Sequence, residues 1–142
     1  MRTGVVPVFY PDVPAAVFRS DGATLVAESA ALDHIAESAR TFPISMFWHR
    51  EEPPEWYYSA DELAEARPLW VEWFPASDGL VVTTDLLGAI GAGGEGVHLL
   101  GDVRQVVREL QELDTCLRVA YASGANFRLQ LSQRPEGAEP PP

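Results

Sequence analysis

The chain predicts an α+β fold: a mainly antiparallel sheet packed on one side by helices, with a long helix near the C-terminus followed by a final strand. Three observations predict it. From Asp102 to Ser123, Val103, Val106, Val107, Leu110, Leu113, Leu117, Ala120 and Tyr121 recur as a continuous apolar stripe at helical spacing. Directly afterwards "NFRLQLS" alternates, with Phe127, Leu129 and Leu131 expected to face in and Arg128 and Gln130 out. Strand-like and helix-like segments are mixed along the rest of the chain.

Taken in order, "GVVPVFY" reads as a strand that Pro7 confines to a sheet edge. "AAVFRS" reads as a second short strand, closed by the turn pair Asp21-Gly22. From Thr24 to Arg40, Leu25, Leu32, Ile35, Ala36 and Ala39 predict one amphipathic helix that ends before Pro43. "PISMFW" reads as a strand, and "EEPPE" as a turn, because its two prolines fix φ and remove two donors. Ser59 and Glu62 then match the S-x-x-E capping box, with Tyr58 and Leu63 at the staple positions. Pro68 stops that helix near Arg67.

"LWVEWF" has the bulky, branched character of a strand. The next window, Asp78 to Ile90, is read as a helix from the spacing of Leu80, Thr83, Leu87 and Ile90, with Ser77 or Asp78 as N-cap. In the long helix, Asp102 is the expected N-cap, with Gln105 three residues on. Arg108 and Glu112 stand at i,i+4 on its polar side, and Gly124 is its natural stop. Residues 1–132 form one domain on this reading, and the Pro/Glu-rich residues 133–142 a disordered tail.

Composition narrows function by exclusion. The sequence has 21 acids and 10 bases, for a net charge of −11, and every base is arginine. Such a charge repels nucleic-acid phosphate and anionic membranes. It suits a basic partner, or serves solubility alone. No apolar run reaches the ~20 residues of a membrane helix. The prolines near the N-terminus leave no continuous leader core, so a cytoplasmic protein is expected. The lone Cys116 can form neither an internal disulfide nor a multi-cysteine metal site. It reads as a small apolar residue of the long helix.

No catalytic, cofactor or metal residue is assigned. Gly91, Gly93 and Gly96 match G-x-G-x-x-G, but they follow a helix rather than a strand and read as a connector. His49 with Glu51, Glu52 and Glu55 lacks a spacing that forces convergence on a metal. No G-x-S-x-G elbow is present.

One signal is left over. All four tryptophans (Trp48, Trp56, Trp70 and Trp73) fall within 26 residues, and the stretch from Glu51 to Glu72 holds seven acids against Arg67 alone. Part of this cluster belongs to the core; Phe47, Tyr58, Trp70 and Phe74 are the expected members. The remainder, Trp48, Glu51, Glu52, Glu55, Trp56 and Tyr57, is the candidate partner-binding surface. Aromatic anchors ringed by acids suit a basic protein partner. The leading expectation is therefore a small acidic non-catalytic binding protein, an immunity- or antitoxin-like inhibitor of a basic partner. The alternatives are a small enzyme or ligand-binding domain with an aromatic pocket lined by His49, Trp56 and Tyr57, and a homo-oligomeric assembly subunit.

Overall fold

The last strand organises the sheet. In the computed structural model, which describes residues 2–48, 54–66 and 72–134, strand β3 (Asn126–Arg134) pairs antiparallel with β1 (Arg2–Tyr10). At its start β3 also pairs with the two-residue β2 (Phe74–Pro75), giving the order β1-β3-β2. Val5 lies opposite Leu131, Pro7 opposite Leu129 and Phe9 opposite Phe127. Opposed residues share a face, and here Val5, Phe9, Phe127 and Leu129 are buried. Pro7 has no N–H to offer a second neighbour, which suits its edge strand.

Among the described residues five α-helices complete the α+β architecture: α1 (Ala23–Ala27), α2 (Ser29–Ser38), α3 (Ala60–Ala66), α4 (Ala76–Gly91) and α5 (Val103–Ala122). The core runs through Leu25, Leu32, Ile35, Leu86, Leu110, Leu117 and Phe127, all fully buried. Each such side chain contributes about 1.5–3 kcal/mol by leaving water. Helix α4 can approach this core because Gly79 has no side chain. A Cβ there would stand 2.6 Å from Phe127 Cζ and 2.9 Å from Leu117 Cδ1. Phe127 also meets the Phe47 ring at 4.9 Å, and Phe47 meets Phe74 edge-on at 5.1 Å. Phe47 is buried and Phe74 half-buried against the same cluster.

The local signals translate directly. Ser59 and Glu62 form the capping box: the Glu62 N–H donates to Ser59 Oγ at 3.3 Å, and the Ser59 N–H to Glu62 Oε1 at 3.1 Å. Asp102 Oδ1 accepts from the Gln105 N–H at 3.2 Å at the start of α5. Gly124 takes a left-handed φ of 70° just past its end. The glycines Gly91, Gly93 and Gly96 lie at the end of α4 and in the connector after it, where Gly93 and Gly96 have positive φ.

Elsewhere the structure corrects the sequence reading. "AAVFRS" is not a strand. The N–H groups of Arg19 and Ser20 donate to the Glu112 carboxylate instead of a neighbouring strand. The Thr24–Arg40 helix is two helices, broken at Glu28 (φ −107°), whose carboxylate accepts from the N–H groups of Gly101 and Asp102. "PISMFW" contains a 3-10 helix, Ile44–Phe47, not a strand. Asp33 holds its first turn, accepting from Ser45 Oγ at 2.5 Å, and the buried residues are Ile44 and Phe47, a period of three rather than two. Of "LWVEWF", residues 69–71 lie outside the described ones; Glu72 and Trp73 are not in a strand, and pairing covers only Phe74 and Pro75.

Helix α4 begins earlier than expected, with Pro75 at the N-cap and Ser77 and Asp78 already helical. Leu131, expected to face in, is 47% exposed. Strand β2 pairs only with Asn126 and Phe127, so it does not extend alongside Leu131. Val103 and Tyr121, at the two ends of the long stripe, are also exposed. Strand β3 runs through Arg134, two residues beyond the expected domain limit; the rest of the tail lies outside the described residues.

Candidate functional site

Residues 54–66 carry the described part of the aromatic–acidic stretch. Pro54 ends the proline pair, and its carbonyl accepts from the N–H groups of Tyr57 (3.1 Å) and Tyr58 (3.4 Å), which closes a turn. The capping box then starts α3. The turn and the cap leave Trp56 and Tyr57 pointing away from the core, 87% and 69% exposed. Their rings meet at 5.9 Å, near-perpendicular, and Tyr57 meets Tyr58 in the same way at 5.0 Å. These edge-to-face contacts bring the three rings together as one group. Tyr58 and Leu63, the staple residues, are half-buried, and Ala66 is buried.

Every charged residue from 54 to 66 is an acid: Glu55, Asp61, Glu62 and Glu65, all exposed. The Glu62 carboxyl sits below the ordinary glutamate range, because it accepts the Ser59 N–H and is engaged by the Ser59 hydroxyl. A carboxylate in the first turn also favours the positive end of the helix.

Of the other sequence candidates, Trp48 follows the 3-10 helix and is half-buried against the core, so it does not join the exposed group. Glu51, Glu52 and His49 lie outside the described residues, as do Arg67 and Trp70. Trp48 lines a cleft of about 310 Å³ with Pro43, Ser45, Met46 and Glu72; Trp56 and Tyr57 do not line it. Trp73 is held differently again, its ring tilted 40° against Tyr10 at 5.7 Å with the Arg128 guanidinium 5.3 Å above it.

Among the described residues no group of three or more His, Cys, Asp or Glu is placed to hold a metal ion, and no helix is long and apolar enough to cross a membrane. His34 and His98 are both exposed. Cys116 is buried on α5. Burial, with Glu112 nearby, pushes its thiol up to about 11. A thiol held protonated at neutral pH is a poor nucleophile.

Sequence reasoning missed Glu109. It is fully buried on α5, accepting from the Leu25 N–H at 3.1 Å and from Gln105 Nε2 at 3.0 Å. The signal was there: Glu109 stands three residues after Val106 and four before Leu113, inside the apolar stripe.

The chain matches no protein-family model, and neither a curated protein nor a solved structure is significantly similar to it.

Proposed function

We propose that this protein is a small acidic, non-catalytic binding protein that docks a basic protein partner through residues 54–66, in the manner of an immunity or antitoxin-like inhibitor. The observation that carries the reading is the pairing of Trp56 and Tyr57, 87% and 69% exposed, on a segment whose charges are all negative. Large aromatic rings are the usual anchors of binding hot spots. Here a T-shaped contact places the two rings side by side, which favours their docking as a pair. The acids around them steer a cationic surface and repel a second copy of the same segment, which disfavours self-association through it. The lone thiol suits a reducing cytoplasm.

The test is capture from a lysate of the source organism, followed by binding measurements with the purified partner. Wild type should retain a basic protein. The Trp56→Ala/Tyr57→Ala variant should bind it at least about 30-fold more weakly, as expected when hot-spot aromatics worth about 2 kcal/mol or more are removed. Glu51, Glu52 and Glu55→Arg together should slow association most at low salt. A partner bound equally well by wild type and by both variants would remove this segment from the function.

A further inference from the structure

Bases are scarce in this chain, yet three of its ten arginines meet in one cleft. Arg2 comes from the start of β1, Arg19 from the loop before α1, and Arg108 from the first half of α5. Together with Asp21, Gln105 and Glu112 they line a cleft of about 340 Å³. That is within the size range of small-molecule sites, roughly 300–1,000 Å³. None of the lining residues belongs to the aromatic segment 54–66.

The acids in this cleft are already engaged. Asp21 Oδ2 pairs with Arg2 Nε at 3.1 Å, and Asp21 Oδ1 accepts from the Ala23 N–H at 3.0 Å. Glu112 Oε1 accepts from the N–H groups of Arg19 and Ser20. Arg19 and Arg108 are left with no carboxylate partner among the described residues. With Arg2 paired to Asp21, the exposed Arg19 and Arg108 against Glu112 leave the cleft one positive charge in excess, which a bound anion would offset. Each guanidinium also offers a planar fork that matches a carboxylate or phosphate.

The frame is fixed before any ligand arrives. The Val5 N–H donates to the Asp21 carbonyl at 3.0 Å, which ties the loop to β1. The Glu112 carboxylate ties the same loop to α5. The three segments are thus tied by backbone N–H groups and by the Arg2–Asp21 pair, without the guanidiniums of Arg19 and Arg108.

We propose that this cleft is a binding site for a small organic oxyanion, a phosphate or carboxylate group gripped between Arg19 and Arg108. Size and charge select against a polyanion. The lining carries three arginines against two acids, while the whole chain carries −11 and repels extended phosphate chains. Glu112 Oε2, which takes no hydrogen bond from the described residues, is available to accept from a hydroxyl or amine of the same ligand.

The experiment titrates the full chain with inorganic pyrophosphate and, separately, with citrate, in chloride buffer at matched ionic strength. Arginine Nε–H and backbone resonances are followed by NMR. The expected result is saturable binding by at least one probe, with the largest shifts at Arg19 and Arg108. Binding of pyrophosphate alone assigns a phosphate ligand; binding of citrate alone assigns a carboxylate. The Arg19→Gln/Arg108→Gln variant should bind at least 10-fold more weakly, while Arg104→Gln, on an exposed α5 position outside the cleft, should bind as wild type does. No saturation by either probe up to about 10 mM, well above a millimolar dissociation constant, would overturn the proposal. So would equal weakening by Arg104→Gln. If the double variant does not fold, the wild-type shift map decides alone: shifts centred away from Arg19 and Arg108 overturn it.

Discussion

Glu28, Glu109 and Glu112 carry the same charge as Glu55, Asp61 and Glu65, but the two sets stand in opposite surroundings. The first set accepts five backbone N–H groups, those of Gly101, Asp102, Leu25, Arg19 and Ser20. Two of these carboxylates sit on α5 and hold the start of α1 and the loop before it; the third ties the α1–α2 break to the start of α5. The second set is exposed on residues 54–66, and only its neighbour Glu62 is engaged locally, at the cap. A net charge of −11 is therefore not a uniform surface property. Part of it is structural mortar in place of strand and helix partners. Another part is exposed: Glu55, Asp61 and Glu65 beside the exposed aromatics, and Asp12, Glu37, Glu72 and Glu95 elsewhere on the described surface.

The comparison breaks most sharply at Glu109. Glu109→Ala leaves the Leu25 N–H without its acceptor in a dry site and opens space in the core. Unfolding in urea should show a loss of about 3 kcal/mol, in the range for removing a charged hydrogen-bond acceptor from a buried donor. A loss below about 1 kcal/mol would mean that water replaces the carboxylate, and that the first set resembles the second after all.

A smaller effect is expected at the junction of the two sets. Ser59→Ala should cost about 1 kcal/mol, the usual value of an N-cap. The loss should appear as faster hydrogen exchange within Ala60–Ala66, not as a lower global stability. Acid should act on the same cap through Glu62. Its carboxyl lies below the ordinary range in the folded protein, so its contribution is complete above the unfolded value and is lost as pH falls through the folded one. The Ser59 amide resonance should follow that titration.

The smallest effect sharpens the contrast. Asp61→Asn with Glu65→Gln should change stability by no more than about 0.5 kcal/mol, as is usual for exposed sites. A larger loss by thermal unfolding would give these acids a structural role that their exposure does not suggest.

The same contrast explains what could be read from the sequence. The two caps, Ser59–Glu62 and Asp102–Gln105, were legible because each closes within three residues. The α5 stripe and the alternation of β3 are equally local. "AAVFRS" was misread because the acceptor for its backbone is Glu112, 93 residues from Arg19. "PISMFW" was misread because Asp33, 12 residues earlier, bends it into a 3-10 turn. Of the aromatic candidates, Trp56 and Tyr57 proved exposed while Trp48 turned to the core. That division depends on where the turn at Pro54 and the 3-10 helix point their side chains, which no spacing reveals. The arginine cleft was illegible for the same reason, since its three segments are distant in the chain.

One feature of the N-terminal half has a genetic consequence. Gly4 on β1 and Gly22, at the end of the loop that returns to it, lie back to back. A Cβ on Gly4 would collide with the Asp21 carbonyl, and a Cβ on Gly22 with the Val5 carbonyl. Gly22 also holds φ at 67°. Either alanine substitution would push the same two backbones apart, so the second would find part of the damage already done. Gly4 and Gly22 should therefore show antagonistic epistasis: in a double-mutant cycle, the pair should cost less than the sum of the single changes.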